Sequence, residues 1–350
     1  KCLPLVIVHH GLGGNRLTGA HLAAQLANAG FVVAAIDAPY HGSRAFCHAD
    51  TDCMTDDGET GVCTASAAHA PQGDDMGVCT VGSPRLFPIP DGNGGFLPTP
   101  SGNHFISANF FRIRDAVRQD LIDHSALVLA LSRPPAPFPQ PAAEPFKTAL
   151  AQKGIALNGQ VRYLGVSLGG IIGSSIVATN PRIDRAVLNV AGGTLVDVFT
   201  NAPAFASDVD DLFLSLGIDR HDPAHAAKYL QTLNVAKWIL DPADPLNFAP
   251  HLQGETLPNL LTGQAMSAKS VLGQAAKGDQ VVPNPFNFLL YGVAGIHTTL
   301  YVDATTTNNV VSHSFIGASP EPMQQVVEYL LDPTADQPST ITLNAPPPAP

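Results

Sequence analysis

The sequence predicts an α/β fold organised on a mostly parallel central sheet flanked by helices, and two observations carry that reading. First, continuous apolar runs at 4–8, 31–36, 161–166, 185–190 and 270–274 are separated by stretches with helical spacing. Strands that are apolar along their whole length belong to parallel sheets buried on both faces. Second, these runs break at their carboxyl ends into polar or glycine-rich turns, at His10-Gly11, at Asp37 and at Ser167. In open α/β sheets that is the end where sites form.

Taken in order, the strand at 4–8 opens into the loop His9-His10-Gly11-Leu12-Gly13-Gly14. Leu22, Ala23, Leu26 and Ala27 then recur at helical spacing, Gly30 closes the helix, and 31–36 forms the next strand. Between 42 and 109 the periodicity gives way to Gly, Pro, Asp, Thr and cysteine over a length well beyond ordinary connections, which predicts a cysteine-rich surface insertion. The core resumes with a helix over 110–131, and 134–145 reads as a proline-rich connector. The strand at 161–166 leads through Ser167 into an apolar helix carrying Ile171, Ile172, Ile176 and Val177. Residues 194–253 are mostly helical and amphipathic, with Val209, Leu212, Phe213 and Leu216 and then Leu230, Leu233, Val235, Trp238 and Ile239. Lying between two strands, they predict a helical cap. A last helix is expected over 321–331. The organisation is thus one domain over 1–335, with the insertion (42–109) and the cap (194–253) inside it, and an extended proline-rich tail over 336–350.

Composition narrows the function classes. Charged residues make up 13% of the 350 and hydrophobic residues 45%, against roughly 25% charged in typical soluble domains. The formal net charge of -11, from 18 Lys+Arg against 29 Asp+Glu, and the lack of any basic run exclude nucleic acid as a partner. The nearest approach to a membrane span, 164–178, is broken repeatedly by Gly and Ser, which leaves peripheral contact with a membrane or lipid surface as the membrane role to consider. The chain opens at Lys1 without an initiator Met, so a preceding portion is expected to have been removed or to lie outside this sequence.

Cys47, Cys53, Cys63 and Cys79 crowd into the insertion, which has no other evident means of holding its shape. Disulfides are the expectation, with three pairings open, and they imply an oxidising location: secreted, periplasmic or cell-surface. A zinc site is the rival, but no C-x2-C or H-x3-H pair is present.

The chemistry centres on Gly165-Val166-Ser167-Leu168-Gly169-Gly170 between a strand and a helix. A serine on so tight a turn needs small neighbours, here Gly165 and Gly169, and its hydroxyl is raised above the sheet at a helix N-terminus. With that motif the chain resembles the α/β-hydrolase superfamily, and within it the bacterial extracellular lipases and esterases. The resemblance covers most of the chain and rests on His10-Gly11-Leu12-Gly13-Gly14, the turn at Ser167, Gly278-Asp279-Gln280-Val281-Val282-Pro283 and a histidine in a terminal loop. It implies an α/β-hydrolase fold, Ser167 as nucleophile, and an oxyanion hole from the amides of Leu12 and Leu168, with His10 and Gly11 supporting the loop. Members usually carry strands ahead of the one leading to the oxyanion loop, whereas this chain starts on it. Cys2 then reads as the partner of a cysteine elsewhere or as a free buried thiol.

The expected chain order is serine, acid, histidine. Asp279 follows a strand and is the preferred acid, with Asp241 and Asp244 as rivals. Two histidines lie beyond it, and His313, between a polar stretch and the last helix, is preferred over His297, which leads into the strand-like 298–302. The other histidines show no metal spacing, and no metal or cofactor is expected. Asp50, Asp52, Asp56 and Asp57 fail the calcium-loop pattern at Met54 and read as solvated loop carboxylates. Arg112, Arg114, Asp115, Arg118 and Asp120 read as an ion-pair network on one helix.

The function expected is a serine-dependent carboxylic ester hydrolase acting on a small-molecule or lipid ester. Peptidases and acyltransferases use the same machinery, and a non-catalytic surface binding module on a hydrolase fold is the alternative from another class. The resemblance implies, through the single residue Leu12 before the glycines, a medium or long acyl chain, and an apolar cap would favour the same.

Overall fold

The computed structural model of the chain describes residues 1–65, 76–132, 144–260 and 262–344. Its central sheet contains β1 (Cys2–His9), β2 (Val32–Ala34), β3 (Ala156–Val166), β4 (Ile183–Asn189), β5 (Ser270–Ala276), β6 (His297–Asp303) and β7 (Thr340–Leu343) in the order β7-β6-β5-β4-β3-β1-β2. Every pairing in it is parallel. The apolar runs are continuous because alternate residues of each strand enter different cores. From β1, Leu5 and Ile7 pack with α2 (Phe110–Ser132) and α4 (Leu168–Thr179), while Val6 and Val8 pack with α1 (Ala20–Asn28) and the final helix (Pro320–Leu331). A shorter helix, α3 (Glu144–Gln152), leads into β3.

The chain leaves β1 for β2 on one side and later returns to β3 on the other. The ends of β1 and β3 therefore flank a point where the winding reverses, and connections there diverge and open a crevice. Both the His10-Gly11-Leu12 loop and Ser167 emerge into it.

Two expectations are corrected at the edges of this frame. The tail assigned to 336–350 contains β7, which pairs with β6 from Leu300↔Thr340 to Asp303↔Leu343 and buries Leu343 against Tyr301 and Phe315. The alternating Thr340-Ile341-Thr342-Leu343 is a half-buried edge strand, masked by the prolines around it; 345–350 lie outside the described residues, as does most of the connector at 134–145. Cys2 is free and exposed, so the reading of it as a buried thiol does not hold.

The insertion is better ordered than its sequence suggests. Short antiparallel ladders join Cys53–Met54 to Ser83–Pro84, Val62–Ala65 to Gly77–Val81, and Ile89–Pro90 to Phe96–Leu97. Of the three possible pairings the chain uses Cys47–Cys63 and Cys53–Cys79. Buried Arg85 supplies a second tie, donating to the carbonyls of Thr51, Phe87, Leu97 and Pro98. The loop carboxylates accept bonds from within the insertion: Asp50 from the Cys63 amide, Asp52 from the His48 amide, and Asp57 from the Thr55 hydroxyl.

The two bridges close loops of 16 and 26 residues, each contributing about 3 kcal/mol in the chain-entropy picture. Reduction is therefore expected to release this segment before the sheet. Hydrogen exchange with and without reductant should show protection falling first in 42–65 and 76–109 while β1, β3 and β4 stay protected. Four free thiols in the unreduced protein would refute the bridges.

Between β4 and β5 the chain makes a helical excursion: α5 (Leu195–Asn201), α6 (Ala206–Ser215) and α7 (Ala226–Leu240), followed by two short turns. Among the described residues no helix is long and apolar enough to cross a membrane.

Candidate active site

Ser167 sits where β3 meets α4, with φ 55° and ψ -117°, a conformation that non-glycine residues adopt only when their surroundings enforce it. Those surroundings are crowded. A Cβ at Gly165 would lie 2.1 Å from the Gly169 carbonyl oxygen, and one at Gly169 would lie 2.4 Å from the His9 carbonyl oxygen. Glycine in the first turn of α4 costs helix stability, about 1 kcal/mol per residue. It is retained because only a bare backbone lets the helix abut the end of β1. The Ser167 amide bonds to the Asn189 carbonyl at 2.9 Å, fixing the turn to β4.

Three side chains from distant parts of the sequence meet here. His313 Nε2 is 2.8 Å from Ser167 Oγ, and His313 Nδ1 is 2.7 Å from Asp279 Oδ2. The other carboxylate oxygen of Asp279 accepts from the amides of Val281 at 2.8 Å and Val282 at 3.1 Å. With both oxygens engaged and the side chain fully buried, Asp279 is held as an acceptor for the Nδ1 proton. That tautomer leaves His313 Nε2 as the acceptor facing the serine hydroxyl.

The rival residues stand elsewhere. Asp244 caps the turn at Pro245–Phe248, accepting from the amides of Leu246 at 2.9 Å and Leu195 at 2.8 Å, and burial raises its carboxyl above the usual range. Asp241 bonds to Asn247. His297 is exposed at the start of β6.

The serine, the acid after β5 and the histidine before the final helix follow one another in the chain around a parallel sheet, at its carboxyl edge and switch point. The fold is that of the α/β-hydrolases.

The solved structures that this chain resembles are distant. The acetyl xylan esterase 1 of Thermoanaerobacterium sp. JW/SL YS485 aligns over 94% of this chain and 75% of its own, with a TM-score of 0.46 and 16% identity. For the acetyl xylan esterase of Paenibacillus sp. R4 the values are 93%, 74%, 0.48 and 15%. For the enol-lactonase of Burkholderia xenovorans LB400 they are 95%, 93%, 0.43 and 13%. No family model and no curated protein matches the sequence. The fold assignment rests on the sheet order and the serine turn of this chain itself.

In this chain the loop after β1 is braced by His10. Its Nε2 accepts from the Ala38 amide at 3.1 Å, so its Nδ1 donates to the Gly11 carbonyl at 2.8 Å. Burial lowers the pKa of this ring and keeps it neutral, as that pair of bonds requires. A Cβ on Gly11 would come 3.1 Å from Ser167 Cβ, so glycine brings the loop close to the serine. Leu12 and Leu168 line the same cavity as Ser167, and among the described residues neither of their amides is recorded donating to another group.

Two cavities open at Ser167 and His313. The first, about 350 Å³, is walled by Leu12, Ile113, Phe199, Phe213, Leu233 and Val282 among others, almost all apolar. The second, about 610 Å³, runs under the loop 11–19 and the insertion residues Leu86, Phe87 and Pro88. The excursion thus contributes Leu212, Phe213 and Leu233 to the first cavity, as its pattern suggested. Leu230 and Trp238, expected over the site as well, are instead 58% and 79% exposed, because they occupy the outer face of α7. Phe105, Phe110 and Ile113 were missed as wall residues, although Phe110 and Ile113 stand at i, i+3 on α2.

The ion-pair network read on α2 divides in two. Arg114 and Arg118 pair with Asp115, whereas Asp120 is fully buried between His9 and His124. Of that group only the i, i+4 pair Asp120 and His124 was visible in sequence; His9 joins it through the fold.

Proposed function

We propose that this chain is a serine-dependent carboxylic ester hydrolase acting through an acyl-enzyme on Ser167. The observation that carries the reading is the hydrogen-bonded series Ser167–His313–Asp279 opening directly into an apolar cavity. In this mechanism His313 Nε2 takes the serine proton as Oγ attacks the ester carbonyl, and Asp279 stabilises the imidazolium formed. The oxyanion is received by the amides of Leu12 and Leu168, an interaction worth on the order of 3 kcal/mol of barrier. His313 then protonates the departing alcohol and, in the second half, activates the water that releases the acid.

The two cavities divide the ester between them. The acyl chain fits the apolar one behind Ser167, and the alcohol fits the wider one beneath Leu86 and Phe87. Exposed Leu214, Leu230, Val235 and Trp238 on the outer side of the excursion support contact with a lipid surface, and the disulfides support a secreted, periplasmic or cell-surface location.

A fluorophosphonate probe is expected to label the folded protein stoichiometrically at Ser167; no labelling would favour a binding module instead. Burying a methylene contributes about 0.8 kcal/mol, or roughly fourfold in rate. Accordingly kcat/KM on p-nitrophenyl esters should rise from acetate to at least hexanoate, then level off. A steady fall beyond acetate would contradict a medium or long acyl chain.

A further inference from the structure

His9, Asp120 and His124 come together behind the active-site loop with their side chains fully buried. One nitrogen of each ring and one carboxylate oxygen lie within 4.8 Å of one another. We propose that they form a metal site for a divalent cation of the zinc type.

The placement of protons leads to this reading. His124 Nδ1 lies 3.0 Å from the main-chain oxygen of Asp120 and 3.2 Å from its Oδ1, so it faces acceptors only and carries a proton. In a neutral ring Nε2 is then a lone pair, and among the described residues it has no partner. On His9 the outer partner is Tyr163, whose single hydroxyl proton goes to the Gly169 carbonyl at 2.7 Å. The 2.8 Å contact between Tyr163 and His9 Nδ1 must therefore be donated by His9, which leaves its Nε2 as a lone pair too. That lone pair stands 3.2 Å from Asp120 Oδ2. Beyond these 3.2 Å contacts to the two rings, the Asp120 carboxylate has no other side-chain partner among the described residues.

His9 Nε2 and Asp120 Oδ2 thus face one another with no proton between them, beside the His124 ring, an arrangement that repels itself unless a cation is bound. Two imidazoles and one carboxylate are a donor set suited to zinc and neighbouring late first-row ions. The outer bonds agree: each imidazole gives its other N–H to a carbonyl or hydroxyl oxygen, as ligating histidines do. A cation there would tie the last residue of β1, just ahead of His10-Gly11-Leu12, to α2, which walls the apolar cavity. The alternative is a His9 imidazolium paired with Asp120, which needs no metal.

The test uses the full chain, expressed without a histidine tag and purified without chelator. About one zinc per chain is expected by elemental analysis. A strong chelator should lower Tm, and Zn²⁺ alone should restore it. Cobalt substitution should give the visible absorption of a nitrogen- and oxygen-ligated tetrahedral ion, and Asp120→Asn and His124→Gln should each lose the metal. A wild-type protein holding less than about a tenth of an equivalent, with Tm unmoved by Zn²⁺ and by chelator, would overturn the site and establish the ion pair. Because the wild-type measurements decide, a variant that fails to fold does not blunt the test.

Discussion

Ser167→Ala is expected to lower kcat/KM for ester hydrolysis by roughly 10⁴- to 10⁶-fold, since members of such a triad act as a unit and removal of the nucleophile costs nearly all of it. Stability should hold. Among the described residues the only side-chain bond of Ser167 is the 2.8 Å contact to His313, whose ring is 17% exposed and can turn to water instead. The strained backbone is set by Gly165, Gly169 and the bond to Asn189, none of which involves the hydroxyl. Kinetics on p-nitrophenyl hexanoate together with a thermal melt check both halves. Activity within tenfold of wild type would remove Ser167 from the mechanism, and a large fall in Tm would make the loss one of folding.

Asp279→Asn is expected to reduce turnover by about 10⁴-fold while leaving the site in place. The amides of Val281 and Val282 both point at Oδ1, so the asparagine carbonyl is drawn to that position and its NH₂ falls where Oδ2 stood. A donor now faces His313 Nδ1. The ring responds by moving its proton to Nε2, which can no longer accept from Ser167. Asp244→Asn is the control: it exchanges one of two acceptors, for the amides of Leu195 and Leu246, for a donor. A cost of about 1–2 kcal/mol in stability follows, with kcat unchanged. Rate loss at Asp244 with none at Asp279 would assign the acid to the earlier position.

The sequence by itself determined most of the sheet and the turn at Ser167. The runs at β1, β3, β4 and β5 were legible because their central stretches are buried on both faces, so most residues there are apolar. The turn at Ser167 was legible because its geometry admits only small residues beside it, and that steric demand is local. β7 was not, since an edge strand of four residues leaves a weak alternating signal among prolines. Tertiary structure alone decided which cysteines pair, because that depends on the register of Val62–Ala65 against Gly77–Val81. It alone brought Asp279 and His313 to Ser167 and kept Asp244 away, because loop ends meet across a sheet by strand order and not by spacing in the chain. For the same reason it decided which face of α7 looks inward, and it carried His9 from the end of β1 to Asp120 and His124 on α2. Burial and periodicity are properties of neighbours in sequence, and a site assembled from separate strands is not.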